Sequence, residues 1–525
     1  MKTLNILTTG AFATLLLLGS CTKDVDNPNS PGGGGEGGVV EGIPTYATVS
    51  LSQRTGAGTY ADAGEYVNGT SQASEAEKKI TDAVVLVFNS DDVLENYVTL
   101  DVVTEGVAPD QKTVAKKTFA TTTGKKRLYA LANLGDYSDI ADIFNGQNGK
   151  TAADKKLSNV CKVIQQIADI SGATTDNKFW MSNVYKLGAT IEDQVTVLNV
   201  DQTTVEGGKG DDPTKNNFKV YIGRMTGKVS LTFAAQLAIK SNDGTFDKAN
   251  AQYRVRNNPK RFYTFPVYEG TQLISPYYNR TYDLPNPTDY ADDNTNVGKN
   301  DFFDNGHNAG GAHAFVAHNV ASYLTENSPK EAKRHKVTFL SIKAKWTPNE
   351  NALLLDADGS IADNAATTLQ KITDAAGNGG TFYRVQKWQG GKIVGYCPGI
   401  YAETPTGWTE VGGTPGDAPG KLTTKVADRN AAKASANACY LIVKYDQGMA
   451  YWAYWMRSRL DGTIAEKYAL KRNNHYKVNI ISVDGVGEPT EDDNLDKDED
   501  LEADASMKAT IDVLNWSVVD IEGGI

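Results

Sequence analysis

The feature that most restricts this chain is a two-residue rhythm. From Thr45 it reads Thr-Tyr-Ala-Thr-Val-Ser-Leu-Ser, which sets Ala47, Val49 and Leu51 on one face and Ser50 and Ser52 on the other. Alternation of that period describes a strand with one buried face. Strand-like segments recur at residues 80–89, 97–103, 126–133 and 194–200, and again at 218–233, 336–346, 380–385, 392–396, 438–445 and 476–483. Between 152 and 170, Leu157, Val160, Cys161, Ile164 and Ile167 fall at helical spacing instead, which predicts one helix or two short ones. The polar, Gly-rich stretch 201–217 reads as a junction, and a long irregular interval rich in Asn, Asp, Tyr and Pro runs to about residue 314. The chain has 525 residues. Two β-rich units in series, each of about seven short strands, are housed more easily as sandwiches than as one sheet. The expected class is therefore mainly β, divided into 45–217 and 218–487.

The ends read differently. Met1 and Lys2 precede the apolar run 11–18 (AFATLLLL), too short for a permanent membrane span and suited to a signal peptide. It leads into Leu18-Gly19-Ser20-Cys21, which resembles the bacterial lipobox, so residues 1–21 are expected to be a leader and Cys21 to carry a diacylglycerol that holds the chain on a membrane leaflet. The lack of an Asp directly after Cys21 fits export to the outer membrane. Residues 22–44, with their Gly run, predict a flexible tether. After the 45–52 strand, Gln53-Arg54-Thr55-Gly56-Ala57-Gly58 predicts an exposed, protease-accessible loop with one basic side chain. Residues 486–505 form an acidic linker expected to stay hydrated and extended, and 509–521 (ATIDVLNWSVVDI) returns to alternation. A terminal apolar strand on a polar linker either returns to its own sheet or completes another chain's.

Catalytic signatures are lacking. The sequence has no Gly-x-Ser-x-Gly elbow, phosphate loop, Cys-x-x-Cys pair or His-Glu-x-x-His helix, so no enzyme activity and no cofactor are expected. His307, His313 and His318 match no established metal spacing and read as loop histidines. Asp356 to Ser360 begins like a calcium loop but lacks its later ligands, which makes a surface turn the better reading. The net charge of −11 supplies no global positive field for nucleic acid. Setting Cys21 aside leaves Cys161, Cys397 and Cys439, an odd number that implies no disulfide framework and leaves a Cys397–Cys439 pair open. Trp346, Trp388, Trp408, Trp452 and Trp455 suit either sugar stacking or sandwich packing, the second being the commoner use.

Several segments taken in order resemble the fimbrillins of Bacteroidales type V pili, the FimA/Mfa superfamily, and most of all the Mfa-type major subunit. They are Ile80 to Phe88, Lys126 to Asn133, Phe179-Trp180-Met181-Ser182-Asn183, Arg224-Met225-Thr226-Gly227-Lys228-Val229, Trp452-Ala453-Tyr454-Trp455, Arg472-Asn473-Asn474-His475-Tyr476 to Ile480, and Val513-Leu514-Asn515-Trp516. The resemblance implies two tandem transthyretin-like β-sandwich domains with short helices, exported by way of the outer membrane as a lipoprotein and assembled into a fimbrium that serves adhesion. It implies as partners other copies of the chain, accessory pilins, an Arg-specific protease and a host or bacterial receptor. Cleavage at Arg54–Thr55 would remove the first strand with its lipid. A neighbour's tail, within 488–525, would then fill the gap with Ala509, Ile511, Val513 and, after a register change near Asn515, Trp516 and Val518. Two other readings stay open: an accessory, tip or anchor subunit of the same pilus, and a surface lipoprotein that captures glycans.

Overall fold

The segment Ala83–Phe88 (AVVLVF) has no polar side and is buried at every position, as a strand covered on both faces must be. Val85 and Val87 join one core with Val49, Leu51, Leu128, Ala130, Val220 and Ile222. Val84, Leu86 and Phe88 join a second with Tyr129, Leu131, Ile140, Ile143 and Phe262. The computed structural model describes residues 41–53, 67–105, 112–167, 170–174, 179–183, 196–200, 216–241, 244–269, 272–276, 302–303, 315–329, 334, 336–348, 380–396, 401–404, 407–410, 426–459, 462–491, 501 and 507–517.

These cores lie on the two sides of a nine-stranded sheet. Its path runs Leu94–Thr99, Ala83–Phe88, Gly124–Ala132, Met181–Asn183, Asn217–Arg224, Pro44–Gln53, Lys112–Thr122 and Asp101–Glu105, with Thr196–Val200 added on Gly124–Ala132. The sheet folds over so that strands far apart in this order meet. Glu95 accepts hydrogen bonds from the Thr121 hydroxyl at 3.2 Å and from the Thr122 amide and hydroxyl at 3.2 and 2.8 Å, and it pairs with Lys126. Val98 and Leu100 thereby share a core with Ala115, and a single ladder encloses an interior as two stacked sheets would.

The expected helix at 152–170 is mostly not one. Leu157–Val160 makes a single helical turn, whereas Ile164–Gln166 is a strand paired with Arg261–Tyr263. Val160 and Ile167 do reach the core, so the apolar spacing reports burial while a distant backbone partner decides the conformation. The main helix of this region, Ser138–Asn145, was not foreseen. It buries Ile140 and Ile143 and ends at Gly146 in the left-handed conformation, φ 66°, the usual glycine stop.

A five-stranded sheet follows, in the order Val67–Gln72, Met507–Ser517, Asn474–Val483, Thr226–Ile239 and Ser322–Thr325. A second sheet, ordered Gly244–Phe246, Phe339–Pro348, Gln252–Arg256 and Val316–Ala317, also carries Met449–Trp455 on Phe339–Pro348. Between them Val229, Leu231, Tyr476, Val478 and Ile480 meet Tyr253, Leu340, Ile342, Trp346 and Trp452, a sandwich core. Trp388 joins the same core from a small sheet of Lys392–Tyr396, Phe382–Gln389 and Cys439–Tyr445. Trp346, Trp388, Trp452 and Trp455 are all buried, so these four are packing residues and present no face for sugars.

Two further expectations change. The run 218–233 is two strands in different sheets, Asn217–Arg224 and Thr226–Ile239, with Met225 between them. The interval expected to be irregular contains Gly244–Phe246, Gln252–Arg256, Arg261–Tyr263 and Gln272–Ile274, strands too short to show a rhythm in sequence.

Candidate functional site

The opening strand, Pro44–Gln53, is interior to its sheet although it begins the described fold. It runs parallel to Asn217–Arg224, with Thr48 opposite Asn217 and Gln53 opposite Ile222. On its other side it runs antiparallel to Lys112–Thr122, from Pro44 opposite Thr122 to Leu51 opposite Ala115. Ala47, Val49 and Leu51 face the core, as their alternation predicts. The start of the strand is tied down by Thr123, whose amide donates to the Ile43 carbonyl at 2.8 Å and whose hydroxyl accepts from the Ile43 amide at 3.0 Å. Withdrawing this strand uncovers two backbone edges and an apolar floor that includes Ala115, Val220 and Ile222. Burying Val49 and Leu51 is worth about 1.5–3 kcal/mol each, and unpaired backbone groups add to the cost of an empty slot.

The tail strand, Met507–Ser517, sits in the sandwich of its own chain. It is antiparallel to Asn474–Val483, with Ile511 opposite Val478 and Asn515 opposite Asn474. Met507 and Ile511 are buried in the sandwich core and Ala509 packs against it. On the other edge Val67–Gln72 runs parallel, but reaches only from Val513 to Ser517. Among the described strands, the tail residues before Val513 are paired on one side alone.

The described part of the approach to the tail, residues 485–491 and Leu501, is docked. The Trp452 indole donates to the Gly485 carbonyl and the Tyr445 hydroxyl to the Gly487 carbonyl, each at 2.9 Å. Glu488 exchanges backbone hydrogen bonds with Tyr451 at 2.9 and 2.8 Å. Glu491 accepts from Arg254 Nε at 2.6 Å and lies 3.7 Å from Arg256. Leu501 is buried with Val337, Phe339, Ala453, Trp455 and Tyr468. Glu491, at the start of the acidic run, is thus met by buried arginines, and Leu501 fills an apolar pocket.

Segments that lie far apart in sequence converge between the two cores. Arg472 donates from Nε and Nη2 to Glu326 at 2.9 and 3.1 Å, and to the Tyr263 and Thr264 carbonyls at 2.8 and 3.1 Å. It also reaches the Ser182 hydroxyl at 3.3 Å. The Arg224 amide donates to Asn473 Oδ1 at 3.0 Å. Beside them Glu77 accepts from Lys228 at 3.0 Å, from the Tyr323 hydroxyl at 2.8 Å and from the Ser74 amide at 2.7 Å. Burial pushes the Glu77 carboxyl up, but the Ser74 amide, Lys228 and Tyr323 together outweigh it and hold the group below its ordinary value. His475 shares a hydrogen bond with Ser230 at 3.0 Å. Burial first, then Lys228 and Lys477, bring its imidazole down to about 3, so it is neutral in the fold.

Of the residues singled out in the sequence, Cys21, Arg54, Thr55 and Val518 lie outside the described residues, as do His307, His313, Cys397 and Asp356 to Ser360. Ala509, Ile511, Val513 and Trp516 share the tail strand, with Trp516 opposite Ser71. His318 packs edge-on against Phe233 at 5.4 Å. Cys439 is buried as a free thiol, and burial pushes the Cys161 thiol up to about 12. Among the described residues no cluster of His, Cys, Asp and Glu could hold a metal ion. Sequence reasoning missed Val67–Gln72, because VNGTSQ has neither alternation nor strand-forming bulk.

Two family models match the chain. One, described as major fimbrial subunit protein (FimA), spans residues 47–224. The other, described as major fimbrial subunit protein type IV, fimbrillin, C-terminal, spans 443–522. No curated protein matches. Among solved structures the chain is similar to a putative cell adhesion protein from Parabacteroides distasonis ATCC 8503, at 11% identity and a TM-score of 0.42 over 90% of this chain and 100% of that one. It is similar to a fimbrilin from Porphyromonas gingivalis W83 at 14% identity and a TM-score of 0.38, over 90% and 98%. The tip fimbrial protein Mfa3 from Porphyromonas gingivalis gives 11% identity and a TM-score of 0.34, over 90% and 100%. One fimbrial-subunit model covers the opening strand and its sheet and another runs through the tail strand, so the chain matches fimbrial major-subunit families in both regions.

Proposed function

We propose that this fimbrial subunit polymerises by exchanging strands: the opening strand leaves, and the tail strand of the next subunit takes its place. One observation carries the reading. The buried stretch of the opening strand, Ala47-Thr48-Val49-Ser50-Leu51, and the tail stretch Ala509-Thr510-Ile511-Asp512-Val513 follow the same plan, an alanine, a threonine, a β-branched aliphatic, a small polar residue and a second aliphatic. Laid in the vacated slot, Ala509 replaces Ala47, Ile511 replaces Val49 and Val513 replaces Leu51. Ile for Val adds one carbon and Val for Leu removes one, so the total volume is kept, which cores accept best.

The energetics run the same way. At home, among the described strands, the stretch from Met507 to Asp512 has a partner on one side. The slot of the opening strand offers two, so transfer adds a second row of backbone hydrogen bonds while the apolar burial is exchanged like for like. A contact made head to tail between identical subunits does not close on itself and extends into a filament.

In this reading Cys21 carries the lipid that brings the precursor to the outer membrane, and cleavage after Arg54 by an Arg-specific protease frees the opening strand together with that anchor. The subunit then belongs to the shaft of a cell-surface fimbrium and presents its outer face to a host or bacterial receptor. A second reading, an accessory, tip or anchor subunit, is favoured by one observation: the tail is paired within its own chain. Electron microscopy and intact mass of the full-length chain, before and after limited trypsin treatment, separate the two. Fibres that appear with loss of residues up to Arg54 support the shaft subunit. Clean cleavage that leaves only monomers overturns it in favour of the accessory role.

A further inference from the structure

We infer that the short strand Val67–Gln72 is a clasp that holds the tail strand at home until the chain is cut between the clasp and the opening strand. This rests on the strand-exchange reading and adds its regulation: one cleavage opens the acceptor slot and loosens the donor together.

The topology places the clasp in an unusual position. It follows the opening strand in sequence, yet it lies in the other sheet, parallel to the tail, with Val67 opposite Val513, Thr70 opposite Asn515 and Gln72 opposite Ser517. Little in its sequence holds it there. VNGTSQ contains one aliphatic residue and a glycine, parallel pairing is the weaker kind, and the register slips between Val67 and Thr70. A strand of this composition has poorly specified pairing of its own.

It is held by its two ends. Upstream, residues 54–66 join it to the opening strand, which is locked between Asn217–Arg224 and Lys112–Thr122. Downstream, the turn of helix Glu75–Lys78 carries Glu77, buried against Lys228 and Tyr323. Two fixed ends keep the clasp at a high effective concentration beside the tail. Cutting within 54–66 removes one of them, and the clasp becomes a free end attached on one side. The tail then loses its parallel partner from Val513 to Ser517 and frays from that end toward the stretch Ala509–Val513, which a neighbouring slot takes up.

Hydrogen exchange of the full-length chain, dilute enough to stay monomeric, tests this. Backbone amides of 507–517 are compared in the intact chain, in the chain cut within 54–66, and in the uncut variants Thr70→Pro and Ser71→Pro. Neighbouring residues of an edge strand turn alternate N–H groups to the partner, so one of the two prolines removes a ladder bond. The expected result is exchange at least about tenfold faster in the tail after cutting and in one uncut proline variant, with Ala83–Phe88 unchanged as the measure of an intact fold. Equal tail protection in cut, uncut and variant chains overturns the clasp. Deleting 507–525 and looking for fibres tests the underlying reading separately: fibres from that chain refute strand exchange, whatever the tail amides do.

Discussion

Arg472 grips Glu326 at two points, Nε to Oε2 at 2.9 Å and Nη2 to Oε1 at 3.1 Å, and both side chains are almost entirely buried. The same guanidinium satisfies the Tyr263 and Thr264 carbonyls and the Ser182 hydroxyl, so it joins the end of the first sheet to the sandwich. Arg472→Met leaves a buried carboxylate without its counter-ion and should cost about 3–5 kcal/mol. In the double variant Arg472→Met, Glu326→Gln the carboxylate is neutral, and part of that loss should return. Chemical denaturation of the two proteins measures the difference; equal stability of the single variant and the parent would refute the assignment.

His475 makes stability depend on pH. Its imidazole is held down to about 3 by burial and by Lys228 and Lys477, against a smaller opposing pull from Glu77. In the unfolded chain it takes up a proton below its ordinary 6.5, so there the unfolded state binds more protons and stability rises with pH. The contribution is fully present above 6.5 and is lost as pH falls toward 3. Glu77, whose carboxyl is held below its ordinary 4.5, adds a loss of the same sign at lower pH. Melting temperatures between pH 7 and 4.5 should therefore fall, and His475→Gln should flatten that slope. An unchanged slope would count against a neutral buried imidazole.

Gly487 lies where the approach to the tail crosses the sandwich. A Cβ there would run into the Tyr451 carbonyl and stand 2.7 Å from the Trp452 ring. Gly487→Ala should cost about 1–3 kcal/mol and should increase exchange at Glu488 and Tyr451, whose backbone hydrogen bonds depend on that close approach. A thermal melt indistinguishable from the parent would show that the crossing is looser than described.

The exchange register makes a side-specific prediction. Ile511 faces the core and Thr510 is exposed, and on the strand-exchange reading the same alternation would apply in the acceptor slot. Ile511→Asp should abolish fibres, because it sets a carboxylate on an apolar floor. Thr510→Asp should leave fibre yield within about twofold, since exposed substitutions cost little. Negative-stain counts of both variants after processing decide it, with circular dichroism confirming that each monomer is folded. Equal loss in the two variants would place the tail in a different register.

The chemistry of the individual strands was legible in the sequence. The alternation of Ala47, Val49 and Leu51 assigned the inner face of the opening strand, and 80–89 was legible as a strand, though its burial on both sides came only from the structure. Ala509 and Ile511 could be assigned inward because a period of two determines faces from local residues alone. Fold class follows from such patterns; the family likeness rests on the ordered segments from Ile80 to Trp516.

Partnership was not legible, because a strand's hydrogen-bond partners lie wherever the chain brings another edge, and no local pattern records that. The run 218–233 reads as one strand but serves two sheets, turning from one to the other at Met225. Ile164 sits at helical spacing yet pairs with Tyr263. Only the tertiary structure joined Arg472 to Glu326, carried Leu501 from an acidic run into an apolar pocket, and laid Val67–Gln72 beside the tail. The sequence by itself determined which faces must be buried. Long-range pairing decided which strands bury them together, because backbone groups are the same in every residue and are told apart only by where the fold places them.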